Sequence, residues 1–264
     1  MFQKEMEQRK SIRKYTADTI PGKELQELKK MLKEQKPMFM DATFRLELFE
    51  NHKKNEAKLG YLFGMGRIKA PYCIAGIFKG EDKNMVEVGI ALEKVVLYLT
   101  RLGLGTCYLG TFDREAVARM VHLSEGEHVG IVVALGYPAE GFMNSGFRRL
   151  AGSTKRRAPE EISSYLDYKR GAGEYLKEHP RIREAVRLAT LAPSANNLQP
   201  VRVVFKDGRA EVYIINGSYV DAGIFLTHFY FGLQGAAAKL KMVAEPPAIS
   251  PEKLEYVASI CFGE

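Results

Sequence analysis

Three side-chain amides stand close together in residues 192–200, which read Ala-Pro-Ser-Ala-Asn-Asn-Leu-Gln-Pro. Each of Asn196, Asn197 and Gln199 offers two N–H donors and one C=O acceptor, which complement a planar heterocycle whose edge alternates N–H and C=O groups. Pro193 ends the preceding helix because it lacks an N–H, so the amides lie on a connection between elements. The segment alone leaves two interpretations open, a ligand site and a polar surface loop.

A second candidate for binding lies near the start of the chain, where Arg9, Ser11 and Arg13 occupy alternate positions. In an extended backbone alternate side chains point the same way, which would put two guanidinium groups on either side of a hydroxyl. Guanidinium groups bind phosphate oxygens through paired, charge-assisted hydrogen bonds. The pattern is therefore typical of a phosphate site, with a solvated basic segment as the alternative. Residues 155–157, Lys-Arg-Arg, form a second cationic run.

Glycines mark the third candidate, residues 102–113, which read Leu-Gly-Leu-Gly-Thr-Cys-Tyr-Leu-Gly-Thr-Phe-Asp. Gly105 and Gly110 predict positions where another group approaches the backbone closely. The segment is not a dinucleotide fingerprint, because Tyr108 stands where the third glycine of GxGxxG belongs and because the segment follows a helix. The alternative interpretation is structural, with Asp113 capping the next helix.

Helices and strands must position these three segments, and the hydrophobic periodicity predicts where they lie. Apolar residues at helical spacing predict a helix that ends near residue 191 and another that begins at Pro21. Runs typical of strands cover residues 45–49, 72–78, 129–135, 201–205 and 212–215.

The chain repeats itself. Residues 87–92, Glu-Val-Gly-Ile-Ala-Leu, return as residues 221–226, Asp-Ala-Gly-Ile-Phe-Leu, each at the start of a long helix. Helix, strand, strand and helix thus occur twice in the same order. We predict two related halves, residues 1–162 and 163–264, with a connector over residues 163–177.

Composition disfavours several classes of function. The 264 residues carry a net charge of +7, but the basic residues are scattered, which argues against nucleic-acid binding and for a small phosphate-bearing ligand. Three cysteines without a CxxC pair and five histidines without ligand spacing predict neither a disulfide framework nor a metal site. No apolar run reaches the ~18 residues of a membrane span, and the charged start of the chain does not resemble a signal peptide. We expect a cytoplasmic protein without membrane association.

Five segments together resemble the FMN-dependent nitroreductase family, in the Thermotoga-type branch that joins two family-like halves in one polypeptide. Residues 9–15 resemble its R-x-S-x-R-x-F motif, residues 103–112 its G-L-G-T-x-W-[IL]-G loop, and residues 135–138 its L-G-Y-P turn. Residues 155–159 resemble K-x-R-x-P, and residues 192–200 resemble A-P-S-x-x-N-x-Q-P. The last motif occurs only in the second half. The equivalent place in the first half, around residues 35–42, has lost it.

The resemblance implies an α+β fold, nitroreductase-like, with a largely antiparallel sheet, helices on both faces and two related halves that form a pseudo-dimer within one chain. It also implies one composite flavin site to which each half contributes. The implied cofactor-binding residues of the first half are Arg9, Lys10, Ser11, Arg13, Tyr108, Leu109, Gly110, Thr111, Lys155 and Arg157. Those of the second half are Pro193, Ser194, Ala195, Asn197 and Gln199. Tyr108 stands where the family commonly has Trp, and the chain has no Trp at all, which puts ring stacking in doubt.

The implied activity is that of a flavoprotein oxidoreductase that passes hydride from NADH or NADPH through FMN to a small-molecule acceptor, such as a nitro compound, a quinone or a flavin. The cofactor carries this chemistry, so we assign no catalytic side chain. A non-catalytic flavin-binding protein, a sensor or store, is the alternative. Each motif of one site occurs once, which predicts one FMN per chain and a monomer that can be active, with further self-association left open.

Overall fold

The structure is a computed structural model that describes residues 2–51, 61–62, 66–139, 155–206, 208–234, 239–247 and 254–263. The described residues form helices and mostly antiparallel strands. The strands make two larger sheets and one short hairpin, so the predicted α+β class is confirmed. None of the helices in these ranges combines the length and the apolarity that a bilayer crossing requires.

The first half is built around a sheet of four antiparallel strands in the order β1-β4-β6-β5, and β2 and β3 form a separate short hairpin. In chain order its elements are α1 (Gln3–Gln8), α2 (Gly22–Lys33), β1 (Thr43–Glu50), β2 (Tyr61–Leu62), β3 (Gly66–Arg67), β4 (Tyr72–Lys79), a 3₁₀ turn (Asp82–Asn84), α3 (Met85–Arg101), β5 (Gly105–Leu109), α4 (Arg114–Met120) and β6 (Glu127–Gly136).

The second half contains a sheet of five strands in the order β7-β8-β9-β11-β10, in which only β7 runs parallel to its neighbour. Its elements are α5 (Pro159–Ile162), β7 (Ser163–Tyr165), α6 (Gly173–Glu178), α7 (Pro180–Thr190), a 3₁₀ turn (Ala195–Asn197), β8 (Val201–Lys206), β9 (Arg209–Ile214), α8 (Tyr219–Leu233), β10 (Lys239–Val243) and β11 (Glu255–Gly263).

The segment expected to be a connector, residues 163–177, is more ordered than its charged sequence indicates. Its first residues form β7, which pairs with β8 in the register Ser163↔Val203 to Tyr165↔Phe205. The ring of Tyr165 stacks on that of Tyr175, with 4.7 Å between the centroids. The first residues beyond the predicted boundary therefore extend the second sheet at its edge, a long-range pairing that local sequence does not reveal.

The two sheets correspond strand for strand. The order β1-β4-β6-β5 in the first matches β8-β9-β11-β10 in the second, and every pair in both sets is antiparallel. Each sheet also has one break in register at the same place, between β4 and β6 in the first and between β9 and β11 in the second. This correspondence supports the internal duplication that the sequence predicts.

Apolar residues fill the space between each sheet and the central helices, α3 and α8. Val88 and Leu92 of α3 pack with Ile74 of β4 in one cluster, and Phe229 of α8 packs with Phe205 of β8 in another. The opposite face of the first sheet is covered through Val117 of α4, in a third cluster. Successive side chains of a strand point to opposite faces of its sheet. The first sheet therefore buries one face against α3 and the other against α4.

The central helices touch where the two repeats contain glycine. A Cβ atom added to Gly223 would lie 2.9 Å from the Cα of Gly89, and one added to Gly89 would lie 3.1 Å from the Cα of Gly223. Equivalent residues meet in this way on the axis of a two-fold-symmetric pair. Since any side chain here would strike backbone, which cannot rotate aside, the glycines are required for this close approach.

We expect Gly223→Ala to destabilise the fold by about 1–3 kcal/mol, because the added methyl group overpacks a backbone-to-backbone contact. Gly22→Ala is the matched control, since nothing lies within 4 Å of a Cβ at this first residue of α2. It should be neutral or stabilise by up to about 1 kcal/mol. The measurement is the urea midpoint at unchanged slope. Equal stability of the two variants would contradict the close helix contact.

Candidate functional site

The arginine-rich segment near the start of the chain is held against the strand that carries the glycine motif. The N–H of Ile12 donates to the carbonyl of Thr106 at 2.8 Å, and Ser11 and Thr106 form a parallel bridge. A Cβ at Gly105 would lie 2.8 Å from the side chain of Ile12. The close approach predicted at Gly105 is therefore that of residues 11–12, whereas the space beside Gly110 is open.

Arg9, Ser11 and Arg13 all lie near the thiol of Cys107. Both guanidinium charges lower the pKa of this thiol, although burial, the largest cause, raises that pKa overall. The hydroxyl of Ser11 acts on the same thiol as a hydrogen-bond partner. Lys10 is exposed. That Arg9, Ser11 and Arg13 bind a phosphate together stays a prediction.

Arg9 is a buried cation whose hydrogen bonding is incomplete. Its side chain is 9% exposed, and within the described part of the chain its Nε has no hydrogen-bond partner. Glu5 is buried on the same helix, but its carboxylate pairs with Arg101 at 2.7 Å. A buried guanidinium needs an anion, since the desolvation cost of an uncompensated charge is large. Arg9 is therefore suited to an anionic ligand.

Arg156 adds a second positive charge at this place. Burial, and to a lesser extent the charge of Arg9, lower the pKa of its guanidinium to about 10. Its Nη1 donates to the side-chain oxygen of Asn197 at 2.6 Å, and its Nη2 to the carbonyl of Leu191 at 3.5 Å. Two like charges held together by the fold attract a group with more than one negative oxygen, such as a phosphate.

The family resemblance implies Lys155 and Arg157 from the cationic run, whereas the structure turns Arg156 toward Asn197. Both flanking side chains are exposed, and the middle one is half-buried. In extended backbone neighbouring side chains alternate, so only one register of the Lys-Arg-Arg run can face inward. Which residue faces inward depends on how this segment packs against residues 192–200, which we call the amide loop. The sequence near residues 155–157 does not reveal this packing.

The amide loop, residues 192–200, is where that packing occurs. The side-chain N–H of Asn197 donates to the carbonyl of Lys155 at 2.9 Å, and the N–H of Arg157 donates to the Gln199 side-chain oxygen at 2.8 Å. These amides therefore hold the cationic run of the first half next to the loop of the second half. Part of their hydrogen-bonding capacity is therefore used by the backbone of residues 155 and 157. That these amides face a flavin ring remains a prediction.

The backbone of the amide loop is unusual. Asn196, Asn197 and Gln199 have positive φ angles of 49°, 55° and 49°, in the left-handed region that most residues avoid. The hydroxyl of Ser194 accepts the N–H of Gln199 at 2.9 Å, which closes the loop on itself. Backbone held in sparsely populated conformations is characteristic of binding sites, because the surrounding structure must impose it.

A pocket lies beside the loop, at the start of α8. Pro193, Ser194 and Gln199, three of the predicted residues, line it together with Asp221 and the ring of Phe225. The Asp221 carboxylate accepts the N–H of Ala195 at 3.1 Å. Burial raises the pKa of Asp221 to about 6, against the opposing effect of that hydrogen bond. Three of the five predicted second-half residues therefore line one pocket, whereas Ala195 and Asn197 are not among its lining residues. Asp221, which also lines the pocket, was not predicted as a site residue.

Tyr108 of the glycine motif, which the resemblance places at the flavin ring, makes a hydrogen bond inside the protein. Its ring is half-buried, and its hydroxyl donates to the carboxylate of Glu93 at 2.8 Å. Burial and then Glu93 raise the pKa of Tyr108 well above its usual value, while Arg9 of the first half lowers it and Asp221 of the second raises it. Leu109 is buried and Gly110 and Thr111 are exposed. Tyr108 is thus within electrostatic reach of charged residues from both halves.

The corresponding place in the first half is filled. Glu87, the counterpart of Asp221, accepts the backbone N–H groups of Met38, Phe39 and Met40 at 2.7, 2.9 and 2.9 Å. These three side chains pack against the apolar core of the second half. An acid at the start of the central helix therefore holds the preceding loop in both halves, but in the first half the loop presents apolar side chains. The loss of the amide motif there is matched by a different local packing.

Comparison with known proteins bears on the fold. Among solved structures, this chain is similar to a "putative nitroreductase" from Thermotoga maritima MSB8, with 20% identity over 99% of this chain and 92% of that one and a TM-score of 0.62. It is also similar to a nitroreductase family protein from Clostridium novyi NT, with 19% identity, 53% and 86% coverage and a TM-score of 0.42. A nitroreductase with bound FMN from Bacteroides fragilis NCTC 9343 matches at 22% identity, 53% and 89% coverage and a TM-score of 0.43.

No curated protein matches this chain. The family model described as "Putative TM nitroreductase" matches residues 2–233, which include all five motif segments and both central helices. The likeness to the Thermotoga maritima structure shows the same fold over nearly the whole chain. The chain therefore belongs to the TM nitroreductase family.

Proposed function

We propose that this protein is an FMN-dependent oxidoreductase with one flavin site, built jointly by its two halves. The observation that carries the proposal is a pair of arginines, the buried Arg9 and the half-buried Arg156, beside the amide loop with its left-handed backbone. Arg9 comes from the start of the chain and Arg156 from the end of the first half, while the loop belongs to the second half. A planar ring linked to a phosphate suits this combination of cations and amides.

The residues present fit the two ends of such a cofactor. Arg9, Ser11, Arg13 and Arg156 would hold the phosphate, because they supply guanidinium and hydroxyl donors. Backbone N–H groups of the open Gly110–Thr111 turn, together with Ser194 and Gln199, would contact the ring. When bound, FMN supplies the group that accepts and passes on hydride, so the protein needs to bind, orient and shield it. No side chain is required as nucleophile or base.

One site per chain follows from the asymmetry of the halves. We infer that residues 1–162 and 163–264 are copies of one ancestral unit, since their sheets share strand order and their central glycines meet. The arginine and glycine motifs occur in the first copy and the amide loop in the second. At the pseudo-symmetric place, Met38, Phe39 and Met40 fill the position of the amide loop. A monomer would then contain the interface that the site needs.

The donor and the acceptor follow from the proposed flavin chemistry. We propose NADH or NADPH as the electron donor, and a nitro compound, a quinone or a flavin as the acceptor. Oxidation of NADH and NADPH by the purified protein, with menadione or a nitroarene present, tests this activity. A yellow protein without turnover would favour the non-catalytic flavin-binding alternative, and a protein that takes up no FMN would overturn the proposal. The cytoplasmic location stays a prediction from the sequence.

Arg9→Gln should weaken FMN binding about ten- to hundredfold, because the variant loses a charge-assisted contact with the phosphate. Its affinity for riboflavin, which lacks the phosphate, should change little. Arg119→Gln is the control, since Arg119 is exposed on α4 and its nearest carboxylate, that of Glu115, lies 3.9 Å away. Quenching of flavin fluorescence measures both affinities. Equal losses for FMN and riboflavin would show that Arg9 does not bind the phosphate.

Flavin extracted from the saturated protein should amount to one FMN per chain, measured against protein concentration and alongside a solution mass. Two FMN per chain would reveal a second site at the Met38–Met40 position. One FMN per two chains would mean that the site is assembled between polypeptides, against the internal pseudo-dimer.

A further inference from the structure

A chain of buried hydrogen bonds runs through the interface of the central helices. The hydroxyl of Tyr108 donates to one oxygen of Glu93 at 2.8 Å, and the other oxygen lies 2.7 Å from Nε2 of His228. Nδ1 of the same ring lies 3.0 Å from the carbonyl oxygen of Leu188. Glu93 and His228 are both 0% exposed. Polar groups at such depth are costly unless they are fully bonded, so this chain holds its members in fixed places.

The two ends of this chain lie in the two segments that would enclose the flavin. Tyr108 belongs to β5, which runs directly into the open Gly110–Thr111 turn. Leu188 lies in the last turn of α7, which leads directly into the amide loop. Glu93 of α3 and His228 of α8 are the links between them. The strand that leads to the Gly110–Thr111 turn is therefore tied to the helix that leads to the amide loop by three consecutive hydrogen bonds.

The hydrogen bonds define where the protons are. A carbonyl oxygen only accepts, so Nδ1 of His228 carries a proton and donates to Leu188. One further proton is shared between Nε2 and the Glu93 carboxylate, so the pair is either imidazolium with carboxylate or neutral ring with carboxylic acid. Both forms have zero net charge. The charged groups nearest in the site, Arg9 and Asp221, act on Tyr108 from outside this pair.

Among the residues that the structure describes, the chain of hydrogen bonds occurs on one side of the pseudo-two-fold axis and not on the other. When the halves are aligned by their central glycines, Glu93 corresponds to Thr227 and His228 corresponds to Lys94. Thr227 has no hydrogen bond to Lys94 among the described contacts; its hydroxyl lies 2.9 Å from the carbonyl oxygen of Gly223 in its own helix and 3.5 Å from that of Ile90 in α3. The acid and the imidazole therefore have no counterparts at the related position.

The strand that carries Tyr108 shows the same asymmetry. Tyr108 pairs with Val133, and the equivalent residue of β11, Ile260, pairs with Met242. Methionine has no hydroxyl to donate, so the related position cannot start such a chain. If these polar side chains served only the packing of the two central helices, both pseudo-symmetric positions would be expected to carry them. The one-sided network coincides instead with the side that keeps the flavin motifs.

We propose that Glu93 and His228 are positioning residues, which fix the separation of the Tyr108 strand and the amide loop across the flavin pocket. The consequence for flavin binding rests on the proposed function, but the mechanical coupling of the two segments does not. The Glu93→Gln variant can preserve every bond, because its amide accepts from Tyr108 and donates to a neutral His228 ring. Positioning by hydrogen bonds therefore predicts that Glu93→Gln behaves as wild type and that Glu93→Leu does not.

The test measures amide hydrogen exchange over residues 189–194 in the full chain without flavin, and then FMN affinity. Tyr108→Phe, which removes a single oxygen at the far end, should speed exchange at residues 189–194 about tenfold and weaken FMN by a similar factor, as expected for one buried hydrogen bond. His228→Asn, which keeps a donor only near Leu188, should do the same. The double variant should lose less than the product of the two single losses, because both cut the same chain.

Thr227→Val is the matched control at the pseudo-symmetric position and should change neither measurement. Wild-type exchange and affinity in Tyr108→Phe would overturn the proposal, as would an equal effect of Thr227→Val or losses that multiply in the double variant. If Glu93→Leu does not fold, Tyr108→Phe still decides. A wild-type protein that binds no FMN would refute the proposed function alone, since the exchange measurement would still show whether the two segments are coupled.

Discussion

The close contact of the two central helices is the constraint on which the rest of this structure depends. Gly89 and Gly223 allow the helix backbones to meet, so that α3 and α8 form one shared support for two separate sheets. A larger residue at either position would separate the helices, and with them the segments that each half sends across the interface. The proposed flavin site would draw on segments of both halves, which this contact holds together.

Charge burial explains why the border can hold a ligand. Arg9 is buried, and within the described residues its Nε has no hydrogen-bond partner, while the buried Glu5 and Glu87 are already bound by Arg101 and by backbone N–H groups. Such an arrangement costs free energy in the unliganded protein and returns it when an anion binds. The strained amide loop beside it is also held by tertiary contacts, through the backbone of residues 155–157. The features proposed to bind the ligand therefore lower the stability of the folded protein without it.

The two halves differ in the side chains that they place at equivalent positions. Glu87 and Asp221 occupy equivalent positions and both hold the loop before them, yet Glu87 is saturated by three N–H groups and Asp221 lines a pocket. The Tyr108–Glu93–His228 network is likewise one-sided. Substitutions that would break a symmetric dimer on both sides act on one side only in a fused chain, so each half is free to specialise.

The sequence by itself predicted the two central helices, five of the strands, the repeat and the candidate motifs, but not the strands β5, β7, β10 and β11. Strands at 45–49, 72–78, 129–135, 201–205 and 212–215 are confirmed within a few residues at their ends, because their periodicity is a local property of the chain. Tertiary structure decided which members of those motifs face each other. Arg156 turns inward in place of Lys155 and Arg157, Gly105 makes room for Ile12, and residues 163–165 join a sheet as a parallel edge strand. The hydroxyl of Tyr108 meets a carboxylate fifteen residues earlier and, through it, His228. Each of these outcomes depends on burial and on contacts between segments far apart in the chain, which exist only once the two central helices have packed.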